Sequence, residues 1–314
     1  MIEEILEIGK QLSRIEFESE LFTEKARTFI DQFSVDKALS EFNHELGKWM
    51  LENTIPEQLN VYNGFGQPPV TVFRHQSFVI DLYFWMHANT SIHSHSFCGA
   101  FKVLYGQSLH EEFEIEEVKT FSNDVAMNEM TRKSSEILVP GDCRTITRGR
   151  SFSHRVIHLS CPTVTLCIRT VSDKDSPQWH YFDNGLSIQK REIEQSTLKK
   201  IFYGDYLFQL DSESTVRFVQ EFSDSLTPSE LINLFEQLTV DTMGLSDDFQ
   251  ELLYNVMIED LKSLPWFHYY EAVYENDQSL TQVDFLDERA RLESLLSFYN
   301  YKQDEIQKLL NQIG

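Results

Sequence analysis

The sequence comprises 314 residues with a formal net charge of −23 at pH 7, and 41% of the residues are hydrophobic. This composition is typical of a soluble globular protein, and the length fits two modest domains or one elaborated domain. Nucleic-acid binding requires clustered Lys and Arg side chains, and the sequence has no basic run, which argues against DNA or RNA as a partner. The acidity also argues against an anionic membrane surface as a partner.

The N-terminal segment predicts helices up to about residue 60. Ile5, Ile8, Leu12 and Ile15 recur at steps of three and four residues, which gives one apolar stripe along a helix. The segment lacks the basic start and the unbroken apolar stretch of a secretory signal, and no run of about 18 apolar residues occurs that would span a membrane. Together with widely spaced cysteines, these features predict a cytoplasmic protein with reduced thiols.

Residues 61–188 have the pattern of β structure. Short runs of β-branched and aromatic residues are separated by turn signals such as Pro140-Gly141-Asp142. Many short strands without long helices between them predict a sandwich or jelly roll rather than a parallel sheet. The runs are Val70–Phe73, Phe78–Trp85, Phe101–Leu104, Val164–Val171 and Trp179–Phe182.

From residue 189 onward the helical pattern returns. Thr227-Pro228-Ser229-Glu230 predicts a helix start, because Thr caps a helix N-terminus, Pro fits the first helical position and Glu stands three residues after the cap. We therefore predict an α+β fold in three parts. These parts are N-terminal helices over residues 1–60 that pack on a β-barrel, the β-barrel itself over residues 61–188, and a helical domain over residues 189–314.

A His-x-His pair is the most informative feature of the β region. Residues two apart on a strand point to the same face, so the imidazoles of His93 and His95 can converge on one ion. The pair follows the apolar run Phe78–Met86 and precedes a second run that closes at Gly106. This context favours a metal site over two incidental surface histidines.

The stretch from His93 to Gly106 resembles the first sequence motif of the cupin superfamily, with Gly99 at the position where that motif usually has Glu. The second cupin motif supplies a further histidine after a Pro-Gly turn, and His154 fits that place. The tripeptide His154-Arg155-Val156 is most similar to the corresponding segment of the cysteine dioxygenase-like branch, the thiol dioxygenases. The resemblance covers about residues 60–185 and implies a cupin β-barrel, or jelly roll.

The resemblance implies that His93, His95 and His154 bind one divalent metal ion. Iron(II) is the expected metal, with nickel, manganese and zinc as alternatives. Three imidazoles without a glutamate leave three positions open on an octahedral ion, which is enough for a bidentate substrate and dioxygen. His158 lies four residues after His154 on the same strand face, so it is the alternative third ligand or a residue near the pocket.

Two arginines are candidates to hold a substrate carboxylate. In the family, the carboxylate-binding Arg precedes the strand that leads into His-x-His, which is where Arg74 lies. Thiol dioxygenases also carry a His and a Tyr on the strand after the third ligand. By the two-residue alternation of side chains along that strand, Cys167 and Arg169 occupy those positions here. If Val164, Leu166 and Ile168 pack outward, Cys167 and Arg169 face the pocket. A neighbouring Asp or Glu is the alternative partner for Arg169.

The remaining residues near the motif have simpler interpretations. His75, His87 and His110 lie near predicted loops or strand ends, and we expect them at the surface. Cys98 has the opposite strand parity to the paired histidines, so we expect it in the core.

These observations predict a mononuclear non-haem iron dioxygenase that acts on a small acidic or thiol-containing molecule. An oxygen-independent isomerase or lyase is the alternative, because cupins also use the metal as a Lewis acid. A third hypothesis is a non-catalytic sensor that signals metal or ligand binding through its helical domain. Helices that cover the barrel and helices that build a homodimer would give the same sequence pattern.

Overall fold

The structure, a computed structural model, describes residues 1–15, 19–34, 37–58, 66, 68–86, 90–173, 175–190, 193–238, 244–277 and 287–313. His87 lies outside these residues. The N-terminal helices are α1 (Ile2–Leu12), α2 (Ser19–Gln32) and α3 (Leu39–Glu52). The strands are β1 (Pro69–Arg74), β2 (Phe78–Trp85), β3 (Ile92–His95), β4 (Gly99–Tyr105), β5 (Ser108–Ser122), β6 (Val125–Leu138), β7 (Cys143–Ile146), β8 (Gly149–His158), β9 (Thr163–Thr170), β10 (Gln178–Tyr181) and β11 (Leu186–Lys190). The later helices are α4 (Gln195–Leu210), α5 (Ser212–Asp224), α6 (Pro228–Leu238), α7 (Asp247–Lys262), α8 (Phe267–Asp277), α9 (Glu288–Phe298) and α10 (Gln303–Leu310).

The strands form two sheets within the described part of the chain. Five strands make an open sheet in the order β1-β2-β9-β4-β7, and six make a closed barrel in the order β10-β11-β6-β5-β8-β3. The pairs are antiparallel, as in β2 with β9 and β3 with β8. Two layers of antiparallel strands with helices before and after them are the architecture of a cupin jelly roll with helical additions. The predicted fold class is therefore confirmed.

Side-chain alternation gives β9 two different faces. One face carries Val164, Leu166 and Ile168, which are completely buried in a core shared with apolar residues of α1, α2 and α3. Cys167 lies on the other face, in a separate apolar cluster with Tyr83, Trp85 and Phe101. The open sheet therefore uses its outer face to bury the N-terminal helices and turns its inner face toward the interior of the jelly roll.

The chain divides into two compact units. The first contains Met1–Ile115, Met130–Pro177 and Ser279–Gly314, and the second contains Glu116–Glu129 and Gln178–Gln278. The predicted domain boundaries at residues 60 and 188 stay predictions, because compactness by itself does not establish an independently folding domain. None of the described helices is both long and apolar enough to cross a lipid bilayer.

Lys102 attaches α2 to the open sheet of the first unit. It points outward from β4 and is buried, and its Nζ donates hydrogen bonds to the carbonyl oxygens of Ile30, Asp31 and Phe33 at 3.2, 3.1 and 2.7 Å. Carbonyl groups at a helix C-terminus have no partner within the helix, and the helix dipole favours a cation there. Lys102 therefore satisfies the end of α2 from a neighbouring strand.

Candidate metal centre

Three buried histidines converge inside the first unit. His93 and His95 lie on β3, and His93 pairs directly with His154 on β8. The pairing shifts between His93 and His95, so that His95 lies opposite Gly149. One ring nitrogen from each of the three histidines lies within 4.8 Å of the other two. The structure therefore brings together the three residues that the sequence motif predicts as metal ligands.

The spacing of the ring nitrogens fits a single metal ion. His95 Nε2 and His154 Nε2 are 2.8 Å apart. The centroid of the His93 ring lies 4.7 Å from the centroid of each of the other two rings. Two nitrogens that bind one ion at about 2.0–2.1 Å and at right angles lie about 2.9 Å apart. The donor set consists of nitrogen atoms alone, which suits iron, zinc, copper or nickel.

Burial keeps His93 and His154 in the neutral form that a metal requires. Loss of solvation lowers the pKa of His93 to about 4. The same burial, with the neighbouring His93, His95 and His110, lowers the pKa of His154 well below its usual value. A proton therefore competes weakly with a metal ion for these nitrogens near neutral pH.

A backbone carbonyl sets the tautomer of His93. Its Nδ1 lies 2.8 Å from the carbonyl oxygen of Ser91, which can only accept a hydrogen bond. Nδ1 of His93 therefore carries the proton, and Nε2 keeps its lone pair for a metal.

The structure contradicts the expectation that His110 lies at the surface. His110 is 1% exposed, because β5 pairs with β8 in a register that turns this side chain into the interior. Its Nε2 lies 3.0 Å from Nδ1 of His154, and its Nδ1 lies 3.1 Å from Glu136. Sequence reasoning missed this residue, although it shares strand parity with Ser108, another interior residue of β5.

His158 lies outside the histidine cluster. Its Nδ1 lies 3.0 Å from the hydroxyl oxygen of Ser108, and its ring stacks on Trp85 with a centroid distance of 4.4 Å. Burial and the charge of Arg291 lower the pKa of His158 to about 3. Of the two histidines that the sequence offered as third ligand, His154 is the one that joins His93 and His95.

Aromatic side chains surround the cluster. Phe97 lies 4.6 Å from His95, Phe152 lies 4.7 Å from His154, and Phe101 lies 6.2 Å from His154, measured between ring centroids. These rings belong to the same apolar cluster as Cys167. Such a wall excludes water and lowers the local dielectric constant, which strengthens electrostatic interactions at the site.

Arg169 has a carboxylate partner within the chain. Its Nε donates to Asp81 at 3.0 Å, and Asp81 also accepts hydrogen bonds from Thr71 and Tyr83 at 2.8 and 3.1 Å. The guanidinium group lies 4.9 Å from the centre of the Phe97 ring. Asp81 is completely buried, and it is the neighbouring acid that pairs with Arg169 in place of a substrate carboxylate.

The other two predicted site residues have different surroundings. Arg74 ends β1, has 38% of its side chain exposed, and lies 3.3 Å from Glu57. Cys167 is buried, and burial raises the pKa of its thiol to about 12, so the thiolate is strongly disfavoured. Cys98 packs in the core behind the N-terminal helices, as expected.

Gly99, at the position where the cupin motif usually has Glu, lies where no side chain fits. A Cβ atom at this position would lie 2.1 Å from the carbonyl oxygen of Ile168 and 2.8 Å from Cα of Arg169. Both neighbours are backbone atoms of β9, which pairs with β4 at this point. The close approach of two strands therefore excludes a carboxylate ligand from position 99.

Comparisons with known proteins find similarity among solved structures. No protein-family model matches the sequence, and no curated protein matches it. KdgF from Halomonas sp. is 15% identical over 38% of this chain and 92% of that chain, with a TM-score of 0.26. Hydroquinone 1,2-dioxygenase from Sphingomonas sp. TTNP3 is 11% identical over 38% of this chain and 84% of that chain, with a TM-score of 0.28.

A cupin superfamily protein from Desulfitobacterium hafniense DCB-2 is 13% identical over 38% of this chain and 97% of that chain, with a TM-score of 0.23. The resemblance to cysteine dioxygenases stays a prediction.

Proposed function

We propose that this chain is a mononuclear metal-dependent enzyme that binds iron(II) through His93, His95 and His154 and uses dioxygen to oxidise a small molecule. The observation that carries the proposal is the convergence of three buried imidazoles, two of whose Nε2 atoms are 2.8 Å apart. An iron(II) ion bound there would supply open coordination positions and redox chemistry.

The residues of the chain prepare the site in three ways. Burial keeps His93 and His154 neutral at physiological pH. The carbonyl group of Ser91 holds His93 in the tautomer that presents Nε2. Phe97 and Phe152 contact the histidine rings and exclude water, which protects reactive species from hydrolysis.

The surroundings favour a substrate that binds through a thiol or a hydroxyl group. A substrate carboxylate at Arg169 would have to displace Asp81, which is completely buried and already holds the guanidinium group. A small molecule with an apolar or aromatic body would instead fit against the phenylalanine rings. We therefore place uncharged thiols and phenols ahead of small acids as substrates.

The proposal is tested by metal analysis followed by oxygen consumption. We expect about one iron per chain in the reconstituted protein, and loss of that iron in His93→Ala. The matched control is His158→Gln, which removes a buried histidine outside the cluster and should retain the iron. Iron-loaded protein should then consume oxygen with a member of a panel of thiols and phenols.

Failure to bind any divalent metal after reconstitution would overturn the proposal. Nickel or zinc at the site, with turnover in the absence of oxygen, would instead select the isomerase or lyase alternative.

A further inference from the structure

A chain of hydrogen bonds leads away from one of the three clustered histidines. Nδ1 of His154 lies 3.0 Å from Nε2 of His110, and Nδ1 of His110 lies 3.1 Å from Oε1 of Glu136. Arg144 donates to the same Glu136 from Nε at 2.7 Å and also from Nη2. These four residues lie on β8, β5, β6 and β7 of the first unit.

The donors and acceptors in this series of hydrogen bonds determine which nitrogen atoms carry protons. Hydrogen bonds from His110 and from Arg144 lower the pKa of Glu136 to about 2, so its carboxylate is ionised and only accepts. Nδ1 of His110 must then carry a proton. With its proton on Nδ1, the His110 ring presents Nε2 as the acceptor for Nδ1–H of His154, 3.0 Å away.

The consequence for His154 is a single tautomer. A neutral ring with its proton on Nδ1 has a lone pair on Nε2, and this is the atom that lies 2.8 Å from Nε2 of His95. The opposite tautomer would direct an N–H group into the cluster and block a metal. His93 obtains the same orientation from the carbonyl group of Ser91.

We propose that His110, Glu136 and Arg144 are positioning residues that hold His154 in the tautomer and orientation needed to bind the metal through Nε2. This inference rests on the proposed metal site. His110 acts on the metal through His154, Glu136 acts through His110, and Arg144 fixes Glu136 with two hydrogen bonds. Groups behind a metal-binding histidine commonly change metal affinity by about 10- to 100-fold.

The first test compares two substitutions at one position by titration with cobalt(II), followed by its visible absorption. His110→Met removes the acceptor for His154, and we expect about 10- to 100-fold weaker binding. His110→Gln keeps an oxygen near the position of Nε2, and we expect affinity close to that of the wild type. Methionine and glutamine are both uncharged, so the two variants differ in the acceptor and have the same electrostatic attraction for the cation.

The control for general loss of packing is His158→Gln, which changes an equally buried histidine of β8 and should leave cobalt affinity unchanged. Cobalt binding by His110→Met within about twofold of the wild type would overturn the positioning role. Equal losses in His110→Met and His110→Gln would also overturn it, because the acceptor would then be irrelevant.

The second test uses nitrogen-15 NMR of the histidine side chains in the metal-free protein, and its wild-type measurement does not depend on a variant that folds. We expect the Nδ1–H tautomer for His154, and a mixture of tautomers in Glu136→Leu. The Nε2–H tautomer in the wild type would overturn the inference. If the wild type bound no cobalt, the proposed function would fail, and the NMR result would still decide the tautomer of His154.

Discussion

Glu111 and Arg155 lie directly opposite each other on β5 and β8, and both side chains are buried. Nε of Arg155 donates to Oε2 of Glu111 at 2.6 Å, and Tyr301 donates its hydroxyl hydrogen to Oε1. Glu111 follows His110 in sequence, and Arg155 follows His154. Because side chains alternate along a strand, the ion pair occupies the opposite face of the same two strands from the histidines.

Glu111→Gln should therefore destabilise the protein strongly. The substitution preserves the shape of the side chain but leaves the buried guanidinium group of Arg155 without a compensating charge. We expect the free energy of unfolding to fall by about 3–5 kcal/mol, measured by urea denaturation.

The matched control is Glu221→Gln, which removes the exposed partner of Arg217 on α5 and should leave the unfolding midpoint unchanged. A midpoint for Glu111→Gln equal to that of the control would show that the buried pair does not stabilise the fold.

Lys102→Met should weaken the attachment of α2. The substitution keeps the apolar stem of the side chain and leaves three carbonyl groups at the end of α2 without their donor. We expect a loss of about 1–3 kcal/mol, measured by thermal denaturation. Lys48→Met, which removes an exposed lysine 4.0 Å from Glu52, is the control and should not shift the melting temperature. Identical melting curves for the two variants would contradict the role of Lys102.

Substitutions of two glycines should have effects of opposite sign. Gly99→Ala places a Cβ atom 2.1 Å from the carbonyl oxygen of Ile168, so β4 and β9 must separate, and we expect a loss of at least about 1–3 kcal/mol. The Cβ atom of Gly47→Ala, within α3, meets no described atom within 4 Å beyond its chain neighbours and the backbone of its own helix, and the substitution should stabilise the helix by about 0.5–1 kcal/mol. Melting temperatures of the two variants check both signs. A melting temperature for Gly99→Ala equal to that of the wild type would mean that β4 and β9 do not approach each other this closely.

Local periodicity predicts much of this fold, and long-range pairing accounts for what it misses. A two-residue step is sufficient to place His93 and His95 on one face, because alternation holds in any β-strand. The position of His110 depends on the register between β5 and β8, which has no local signal in the sequence. The pairing of Arg169 with Asp81 likewise depends on the register between β9 and β2.

The C-terminal helices illustrate the same limit. Leu292 and Leu295 of α9 repeat at helical spacing, which predicts a helix with an apolar face. They pack in a core with Leu109 of β5 and Ile157 of β8, and no local pattern specifies that contact. Strand parity does indicate that Leu109 and Ile157 face away from the interior histidines.

Buried histidines should make the metal-free protein sensitive to acid. The pKa of His158 is about 3 and that of His93 is about 4 in the folded chain, whereas an unfolded histidine has a pKa of about 6.5. Below pH 6.5 the unfolded chain therefore binds protons that the folded chain does not bind. Stability is fully present above pH 6.5 and falls as the pH drops toward the folded pKa values, by about 1.4 kcal/mol per pH unit for each histidine.

His158→Gln should remove one histidine from this pH dependence. We expect the free energy of unfolding, measured in urea between pH 7 and pH 5 with a chelator present, to fall less steeply than in the wild type. The slopes should differ by about 1.4 kcal/mol per pH unit toward the acid end of this range. Ser108→Ala is the matched control, because it removes the hydrogen bond to Nδ1 of His158 but keeps the titrating ring. Ser108→Ala should lower the free energy of unfolding at every pH, with a pH slope close to that of the wild type. Equal pH slopes in the wild type and in His158→Gln would mean that His158 is protonated in the folded chain.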